Sequence, residues 1–283
     1  VEAGQRSPES AGALRQQQAR SVVWVNGVPV GGQEVVIVAG PCAVEDEEQM
    51  LRAALAAKAA GACLLRGGAF KPRTSPYEFR GLGEDGLRLL AAAGQLTGLP
   101  VVTEVMSERL VDLVARYSDV LQIGSRNMSN FALLEEVGRA GKPVLLKRGM
   151  AARIKEWLLA AEYILAQGND QIILCERGIR TMDSDYTRNT LDLNAIAVLK
   201  RETQMPVLAD PSHAAGRADL VGQLGRAALA AGADGLMLEI HPSPSQALCD
   251  GRQSLSLEEF DQFMLTLSPL AEACGRRLCA GPS

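Results

Sequence analysis

The sequence predicts an α/β protein folded as a closed (β/α)8 barrel, or TIM barrel, preceded by a short N-terminal β-hairpin extension. From Val35 onward, eight short apolar segments rich in β-branched residues recur, and polar or glycine-rich loops and longer amphipathic stretches separate them. Apolar residues in the longer stretches recur at steps of three and four, which is typical of helices with one buried face. Nearly continuous apolar strands that alternate with helices indicate a parallel sheet covered by helices. Eight such units in 283 residues favour a closed barrel over an open doubly wound sheet.

Eight predicted strands follow one another along the chain. Their ranges are 35–40, 63–68, 100–105, 120–125, 143–149, 171–178, 206–213 and 235–242. Several of the helical stretches between them end in a glycine just before the next strand, which is the usual helix stop signal: Gly61, Gly98, Gly141 and Gly168. Ahead of the barrel, SVVWVNGVPVG carries an Asn-Gly pair between alternating apolar residues. This pattern predicts a hairpin, and its position suggests that the hairpin plugs the N-terminal mouth of the barrel.

We expect one domain with short additions at both ends. Residues 1–20 are polar and rich in turn-forming residues, which predicts a flexible segment, and residues 21–34 form the hairpin extension. The barrel, expected to be the catalytic domain, covers residues 35–272 without an internal boundary. Residues 273–283 make a C-terminal tail.

Composition and charge argue against several classes of partner. The chain carries 29 basic and 33 acidic residues, for a formal net charge of −4, so no global positive field points to nucleic acid or to an anionic membrane. No apolar run reaches the roughly 18 residues of a membrane span, and the first twenty residues lack the apolar core of a signal peptide. The six cysteines are scattered without a CxxC pair, which favours a reducing compartment, and hence the cytoplasm, over a disulfide scaffold.

A first group of chemistry-bearing residues follows the first, seventh and eighth strands. Side chains at the C-terminal ends of barrel strands point into one shared mouth, and closure of the barrel makes these three strands neighbours. The group comprises Cys42, His213, Glu239 and Asp250. One thiolate, one imidazole and two carboxylates predict a site for a divalent transition metal, and Mn, Fe, Co and Zn are all compatible with it. His241 is a competing imidazole, because strand alternation points it the same way as Glu239.

A second group is basic and lies at the ends of the second, fourth, fifth and sixth strands. Its members are Arg66, Lys71, Arg126, Lys147 and Arg177. Converging cations repel one another unless anions neutralise them, so a net-acidic protein that collects them here is expected to bind a multiply charged anionic substrate. Arginine suits bidentate binding of phosphate or carboxylate, and lysine acts as a mobile point charge. The alternative is that these cations pair with acids near the strand ends, such as Glu104, Glu176 or Asp210.

The KPRTS segment after the second strand sets Arg73 beside Thr74 in a proline-constrained loop. It is a candidate second phosphate site, although the same residues also describe an ordinary surface turn. The glycines of RGGAF match neither a dinucleotide fingerprint nor a P-loop, which argues against a dinucleotide or nucleoside triphosphate ligand. No GxSxG elbow occurs, which disfavours a Ser-His-Asp hydrolase.

Nine motifs, spread in order over residues 22–265, carry a family resemblance. They are AGPCAVE, LRGGAFKPRTSPYEFRGLG, QIGSRN, PVLLKRG, ILCERGIRT, RNTLDL, DPSHAAGR, LEIHPSP and CDGRQSL. Together they resemble the 3-deoxy-D-arabino-heptulosonate-7-phosphate (DAHP) synthases, in the subtype related to the 3-deoxy-D-manno-octulosonate-8-phosphate synthases. Enzymes of this family are transferases that condense phosphoenolpyruvate with erythrose 4-phosphate, the first step of the shikimate pathway to aromatic amino acids.

The resemblance implies roles for both groups and for the KPRTS segment. One divalent metal ion would be held by Cys42, His213, Glu239 and Asp250, with His213 preferred over His241. Phosphoenolpyruvate would be held, largely through its phosphate, by Arg126, Lys147 and Arg177, with Arg66 and Lys71 nearby. Arg73 and Thr74 would bind the phosphate of the sugar. The implied catalytic residues are Lys71, which could protonate the developing alkoxide, with Cys42 and His213. Homo-oligomers, either dimers or tetramers, are also implied.

Two alternatives to the heptulosonate reaction remain. The octulosonate enzymes, which use arabinose 5-phosphate, carry a Lys-Ala-Asn-Arg-Ser type of segment where this chain has KPRTS, so the sequence favours the heptulosonate reaction. The second alternative is a non-catalytic sugar-phosphate-binding homologue, and the presence of every implied ligand argues against it. Departures from the family pattern are small: Ser125 stands where alanine is common, and Ala43 where serine is common.

Overall fold

The computed structural model describes residues 21–71, 77–182 and 185–281. An antiparallel hairpin comes first, made of β1 (Val23–Val25) and β2 (Val28–Val30). Eight barrel strands follow: β3 (Glu34–Gly40), β4 (Leu64–Arg66), β5 (Val101–Glu104), β6 (Val120–Ile123), β7 (Val144–Lys147), β8 (Ile172–Glu176), β9 (Val207–Ala209) and β10 (Gly235–Glu239). A short strand, β11 (Arg277–Leu278), lies close to the end of the described chain.

Each barrel strand pairs in parallel with the next, and β10 pairs with β3, so the sheet closes on itself. In the closing register, Met237 lies opposite Val38 and Glu239 opposite Gly40. The predicted closed barrel is therefore confirmed. Part of the tail returns to the barrel, since β11 pairs in parallel with the start of β3.

Helices cover the outside of the barrel and connect its strands. They are α1 (Glu47–Ala59), α2 (Glu84–Thr97), α3 (Val111–Tyr117), α4 (Phe131–Arg139), α5 (Ile154–Leu165), α6 (Leu193–Glu202), α7 (Pro211–Ala215), α8 (Val221–Ala230), α9 (Leu257–Leu265) and α10 (Leu267–Ala273). Local sequence sets their ends: the Asp46 carboxylate accepts from the Gln49 N–H (2.8 Å) at the start of α1, and Gly98 closes α2 with a left-handed φ of 70°. In the described part of the chain, no helix is long and apolar enough to cross a membrane.

The seventh barrel strand is shorter than predicted. The sequence pattern extended it over 206–213, but β9 ends at Ala209. Pro211 then opens α7, where a proline in the first turn removes no helical hydrogen bond. Asp210 caps this helix by accepting from the His213 N–H (2.9 Å). His213 therefore lies on a short helix beyond the strand end rather than on the strand itself.

Strand residues alternate between two cores. Inward-facing side chains such as Val38, Leu145 and Met237 belong to a buried cluster inside the barrel. Their neighbours in sequence, such as Ile37 and Leu146, belong to the larger cluster between the sheet and the helices. Positions two residues apart on one strand therefore share a face, and this rule decides which strand-end residues can reach the mouth of the barrel.

The hairpin completes the inner core at the N-terminal end of the barrel. Four of its residues are buried in the same cluster as the inward-facing strand residues: Val23, Val25, Val28 and Val30. Its turn is made by Asn26 and Gly27, both with positive φ (44° and 86°), which is the conformation that Asn-Gly pairs favour in two-residue hairpins. The hairpin predicted from SVVWVNGVPVG is confirmed, and its valines fill the N-terminal opening as expected from its position.

Replacing Val28 with alanine is expected to lower the free energy of unfolding by about 1–3 kcal/mol, because buried methyl groups are lost from this plug. Replacing the exposed Val22 with alanine is the matched control, and its effect should stay within about 0.5 kcal/mol. Urea denaturation measures both changes. An unchanged transition midpoint for Val28→Ala would show that the hairpin does not support the barrel.

Candidate active site

Strand alternation delivers one polar side chain from almost every barrel strand to the C-terminal mouth. Two positions beyond the last inward-facing apolar residue, β4 to β10 supply in order Arg66, Glu104, Gln122, Lys147, Arg177, Asp210 and Glu239. β3 has Gly40 at this position, where an added Cβ would lie 2.0 Å from the Arg66 carbonyl oxygen. The mouth is therefore a ring of charged and amide groups above an apolar interior.

A cavity opens at this end of the barrel. Its wall is made by Arg66, Lys71, Glu104, Gln122, Gly124, Ser125, Arg126, Lys147, Met150, Arg177, Arg188, His213, Cys249 and Asp250. The structure thus brings together all five cations that the sequence predicted to converge. It also brings two of the predicted metal ligands, His213 and Asp250, into the same wall.

Four potential ligand atoms meet beside this cavity. Cys42, His213, Glu239 and Asp250 each offer one such atom, and these atoms all lie within 4.8 Å of one another. We call these four residues the ligand quartet. His213 Nε2 lies 3.4 Å from Glu239 Oε1 and 4.0 Å from Asp250 Oδ2, and Cys42 Sγ lies 3.3 Å from Asp250 Oδ2. Asp250 has a left-handed backbone (φ 52°), which aspartate tolerates better than most residues.

The chemistry of the quartet is consistent with a metal site. Burial lowers the pKa of His213, although the nearby carboxylates of Asp210 and Glu239 act to raise it. Its imidazole is therefore neutral at neutral pH and offers a lone pair. Asp210 Oδ2 lies 2.7 Å from His213 Nδ1, which leaves Nε2 as the ring nitrogen that faces the quartet. Burial would raise the pKa of Asp250, but His213 and Arg188 outweigh it and lower that pKa to about 2. One nitrogen, one sulfur and two carboxylates suit Mn, Fe, Co or Zn without selecting among them.

Cys42 is the member of the quartet with the most unusual surroundings. Its Sγ lies 3.1 Å from Cys249 Sγ and accepts a hydrogen bond from Lys71 Nζ at 3.0 Å. The hydrogen bond with Cys249 and burial together raise the pKa of the Cys42 thiol. A thiol that coordinates a metal ion is deprotonated outright, so metal uptake by this quartet is expected to release a proton.

His241, the competing imidazole, lies outside the quartet. Its Nε2 is 3.3 Å from Glu45 Oε2, and its Nδ1 accepts from the Ser243 N–H (3.0 Å). Alternation predicted the same direction for His241 and Glu239, but β10 ends at Glu239 and the His241 ring lies against Glu45 instead. That expectation is wrong, and His213 is the imidazole that meets Glu239.

The cations of the mouth differ in what holds them. Arg66 donates to Glu239 Oε1 (2.8 Å) and Lys147 donates to Asp210 Oδ2 (2.5 Å). These two cations therefore pair with acids near the strand ends, as the alternative interpretation of the sequence predicted. Arg177 is only 4% exposed, and its Nη1 has no hydrogen-bond partner among the residues that the structure describes. Arg66 Nε also lacks a partner among the described residues. An unmade hydrogen bond on a buried charge is costly, so these donors at the cavity favour a bound anion.

Arg148 and Glu176 lie on the outer side of the barrel wall. Both stand at strand ends in the sequence, but each is one residue out of phase with the inward-facing position. Arg148 Nη1 donates to Glu176 Oε2 and to Asp192 Oδ2, both at 2.9 Å. Glu176, considered from sequence as a partner for the mouth cations, pairs with Arg148 instead. Lys147 and Arg177 are therefore the residues of these two strand ends that reach the cavity.

Arg188, Cys249 and Gln253 are among the site residues that sequence reasoning missed. Arg188 comes from the loop after β8, where no strand pattern predicts direction, and its Nη1 lies 3.3 Å from Asp250 Oδ1. Gln253 is buried and donates to Glu239 Oε2 (2.6 Å). A partial signal existed, because Cys249 and Gln253 lie within three residues of Asp250 and Arg188 opens the motif RNTLDL.

The predicted sugar-phosphate residues, Arg73 and Thr74, lie outside the described residues. Residues on either side of their segment do reach the quartet. Lys71 Nζ donates to the Cys42 carbonyl oxygen (3.0 Å), and Phe79 packs against the small cluster that contains Cys42. The described residues Lys71 and Phe79 therefore both lie beside Cys42.

Comparisons with known proteins agree on one family. The chain matches the model described as the DAHP synthetase I family over residues 15–275. A Thermotoga maritima protein named phospho-2-dehydro-3-deoxyheptonate aldolase is 49% identical over 255 residues, which cover 90% of this chain and 75% of that relative. A Syntrophotalea carbinolica protein named 2-dehydro-3-deoxyphosphooctonate aldolase is 36% identical over 247 residues, which cover 81% of this chain and 88% of that relative.

The similarity extends to the three-dimensional structure. A crystal structure of phospho-2-dehydro-3-deoxyheptonate aldolase (DAHP synthase) from Thermotoga maritima superposes with a TM-score of 0.89 at 48% identity, covering 92% of this chain and 76% of that one. Family match, identity and fold lead to the same conclusion. The chain belongs to the DAHP synthetase I family.

Proposed function

We propose that this chain condenses phosphoenolpyruvate with erythrose 4-phosphate and water to give DAHP and inorganic phosphate, as the first step of the shikimate pathway. The observation that carries the proposal is that the ligand quartet lies beside the same cavity as Arg177, whose buried Nη1 has no hydrogen-bond partner among the described residues. A relative named for the heptonate reaction is 49% identical, against 36% for one named for the octonate reaction. The complete quartet argues against a non-catalytic homologue.

The ligand quartet would hold one divalent ion of Mn, Fe, Co or Zn. Bound there, the ion supplies Lewis-acid polarisation of the aldehyde oxygen of the sugar. Two residues outside the ligand quartet orient its members: Arg66 donates to Glu239 Oε1, and Asp210 lies against His213 Nδ1. Such partners fix the direction of a ligand before the ion arrives.

Phosphoenolpyruvate is held in this proposal, largely through its phosphate, by Arg126, Lys147 and Arg177. Two more cations lie beside it: Arg66 and Lys71. Arg177 supports the assignment most directly, because its buried Nη1 needs an acceptor. Lys147 is already held by Asp210, so it offers its remaining donors from a fixed position. Arg73 and Thr74 bind the phosphate of the sugar.

The reaction begins when carbon 3 of phosphoenolpyruvate attacks the aldehyde carbon, so that a C–C bond forms and the carbonyl oxygen becomes an alkoxide. Lys71 donates a proton to that alkoxide, since its Nζ lies 3.0 Å from Cys42 Sγ at the border between quartet and cations. Burial would lower the pKa of Lys71, but Cys42 and Cys249 outweigh it and raise that pKa, so the ammonium holds its proton at neutral pH. Water adds to carbon 2 and loses a proton. The hydroxyl formed there then loses its second proton as the carbonyl of carbon 2 forms and phosphate leaves by C–O cleavage. Positioning and charge stabilisation supply much of the acceleration.

A two-substrate assay tests the proposed function. Phosphate release from phosphoenolpyruvate is measured with erythrose 4-phosphate and with arabinose 5-phosphate, before and after chelation and after addition of each candidate metal. We expect kcat/KM to be at least about tenfold higher with erythrose 4-phosphate, and activity to require the metal. Preference for arabinose 5-phosphate would make the chain an octulosonate synthase. Absence of turnover with either sugar and any metal would favour the non-catalytic alternative.

The two histidines give a paired prediction about the metal. His213→Gln is expected to weaken metal binding by about 100-fold or more, because it removes the nitrogen donor of the quartet. His241→Gln should change metal affinity by less than about threefold, because His241 contacts Glu45 and Ser243 rather than the quartet. Isothermal titration of the metal-free protein with Co²⁺ measures both. Equal losses in the two variants would contradict the assignment of His213 as the ligand.

We also infer that the enzyme acts as a homo-oligomer, a dimer or tetramer, in the cytoplasm. The family resemblance supports the oligomer, and scattered cysteines without a CxxC pair support a reducing compartment. The domain assignment stands as proposed, with a catalytic barrel at 35–272 between the hairpin extension at 21–34 and the tail at 273–283. Size-exclusion chromatography with light scattering measures the mass, and a monomer would contradict the oligomer.

A further inference from the structure

Gln253 is a buried amide whose two ends face opposite kinds of partner. It is 2% exposed. Its Nε2 donates to Glu239 Oε2 (2.6 Å), and its Oε1 accepts from Arg188 Nη1 (3.1 Å). A guanidinium can only donate and an ionised carboxylate can only accept, so these partners allow the amide one of its two orientations.

Arg188 extends this contact to a second carboxylate. The same Nη1 that donates to Gln253 lies 3.3 Å from Asp250 Oδ1. Hydrogen bonds therefore run without a gap from Asp250 through Arg188 and Gln253 to Glu239. We call Arg188 and Gln253 the carboxylate relay, because they join the two acidic members of the ligand quartet.

The relay engages one oxygen of each carboxylate and leaves the other directed at the quartet. Asp250 Oδ1 faces Arg188, while Oδ2 lies 3.3 Å from Cys42 Sγ. Glu239 Oε2 faces Gln253, while Oε1 lies 3.4 Å from His213 Nε2. Two carboxylates this close repel each other, and the relay offsets the repulsion while fixing the rotation of each group.

Gln253 also joins two separate parts of the chain. Glu239 ends strand β10, whereas Asp250 begins a short turn in which the Gln253 N–H donates to the Asp250 carbonyl oxygen (3.1 Å). The side chain of Gln253 thus ties this turn to the strand end. Backbone hydrogen bonds from the Leu255 N–H to the Glu239 carbonyl oxygen and from the His241 N–H to the Leu255 carbonyl oxygen (both 2.9 Å) also hold the chain after the turn to this strand end. Gln253 adds the side-chain contact that acts on the Glu239 carboxylate itself.

We propose that Gln253 and Arg188 are positioning residues that set the spacing of the Glu239 and Asp250 carboxylates and thereby the metal affinity of the quartet. The inference rests on the proposed function of the quartet as a metal site. Outer partners of metal ligands typically change metal affinity or activity by about 10–100-fold when they are removed. Gln253 is the cleaner of the two to test, because it is uncharged and its loss leaves the electrostatic potential at the quartet nearly unchanged.

Gln253→Leu tests the proposal, since it removes both side-chain hydrogen bonds at a similar volume. The metal-free protein is titrated with Co²⁺ against a competing chelator, and the Cys42 thiolate-to-cobalt absorption band is followed. We expect Co²⁺ affinity to fall by about 10–100-fold and the band to change in energy or intensity. At saturating Co²⁺, KM for phosphoenolpyruvate should stay within about twofold while kcat falls.

Asn169→Leu is the matched control. Asn169 is also a buried amide with two hydrogen bonds, to the Lys142 carbonyl oxygen (2.8 Å) and from the Gln171 N–H (3.0 Å), but it precedes β8 at the opposite end of the barrel. This variant should bind Co²⁺ like the wild type. Arg188→Lys is a second probe that keeps the charge but loses the planar fork, and its partly exposed side chain (41%) makes misfolding a small concern. We expect it to weaken Co²⁺ binding by at least about threefold.

The outcomes separate the relay from the function on which it rests. Wild-type Co²⁺ affinity and an unchanged band in Gln253→Leu and Arg188→Lys would overturn the relay and leave the metal site in place. Should Gln253→Leu fail to fold, Arg188→Lys alone decides between these results. A wild-type protein without a Cys42-dependent cobalt band would overturn the metal site, and the relay with it.

Discussion

Cys42→Ala is expected to abolish metal binding and catalysis together. The substitution removes the sulfur from a quartet whose donor atoms all lie within 4.8 Å of one another, so three ligands remain. Because a Lewis-acid ion contributes several kcal/mol to stabilising the transition state, kcat/KM should fall by about 10³-fold or more. Metal content after dialysis, measured by mass spectrometry on the same samples that are assayed for activity, reports both losses.

Cys63→Ala is the matched control for this variant. Cys63 is also a buried free thiol, but it lies directly before β4, where its Sγ is 3.6 Å from the Cys279 carbonyl oxygen. It should keep metal content and activity at wild-type levels. Full activity of Cys42→Ala after chelation would mean that the quartet is not the metal site.

Arg177→Met is expected to impair substrate binding and to stabilise the ligand-free protein. The variant loses a charge-assisted hydrogen bond to phosphate, so KM for phosphoenolpyruvate should rise by about 100-fold. It also removes a buried cation whose Nη1 has no partner among the described residues, which should raise the free energy of unfolding by about 1–3 kcal/mol. Steady-state kinetics and urea denaturation measure the two effects.

Arg148→Met is the matched control, and it is expected to lower the free energy of unfolding rather than raise it. Arg148 is as deeply buried as Arg177, but it is paired with Glu176 and Asp192 outside the cavity. Its removal leaves Glu176 buried without its cation, so the protein should lose about 3–5 kcal/mol of stability. In addition, inorganic phosphate should raise the Tm of the wild type but not of Arg177→Met. A loss of stability in Arg177→Met similar to that in Arg148→Met would contradict an anion site at Arg177.

Most of the site could be predicted because it follows from strand order and alternation. Adjacency of the first, seventh and eighth strands brings Cys42, His213 and Glu239 together, and this adjacency is a property of any closed barrel. The same alternation, applied residue by residue, separates Lys147 and Arg177 from their neighbours Arg148 and Glu176. Treating all the residues at a strand end alike does not separate them, because side chains one position apart face opposite sides of the sheet.

The rest of the site comes from segments in which no repeating sequence pattern predicts the direction of the side chains. Arg188 and Gln253 enter from loops, so their directions depend on tertiary contacts rather than on a repeat. For His241, alternation predicted a direction that tertiary contacts override, because its ring lies against Glu45 and accepts from the Ser243 N–H just past the end of β10. The short helix that carries His213 escaped prediction because Pro211 opens it directly after a three-residue strand. Its proline and its capping aspartate were nevertheless visible in the DPSH motif.

The hairpin valines close the interior of the barrel at the end opposite the cavity. In the proposed reaction, substrates would therefore enter and products would leave at the C-terminal mouth, because the residues that the structure describes fill the N-terminal end of the barrel.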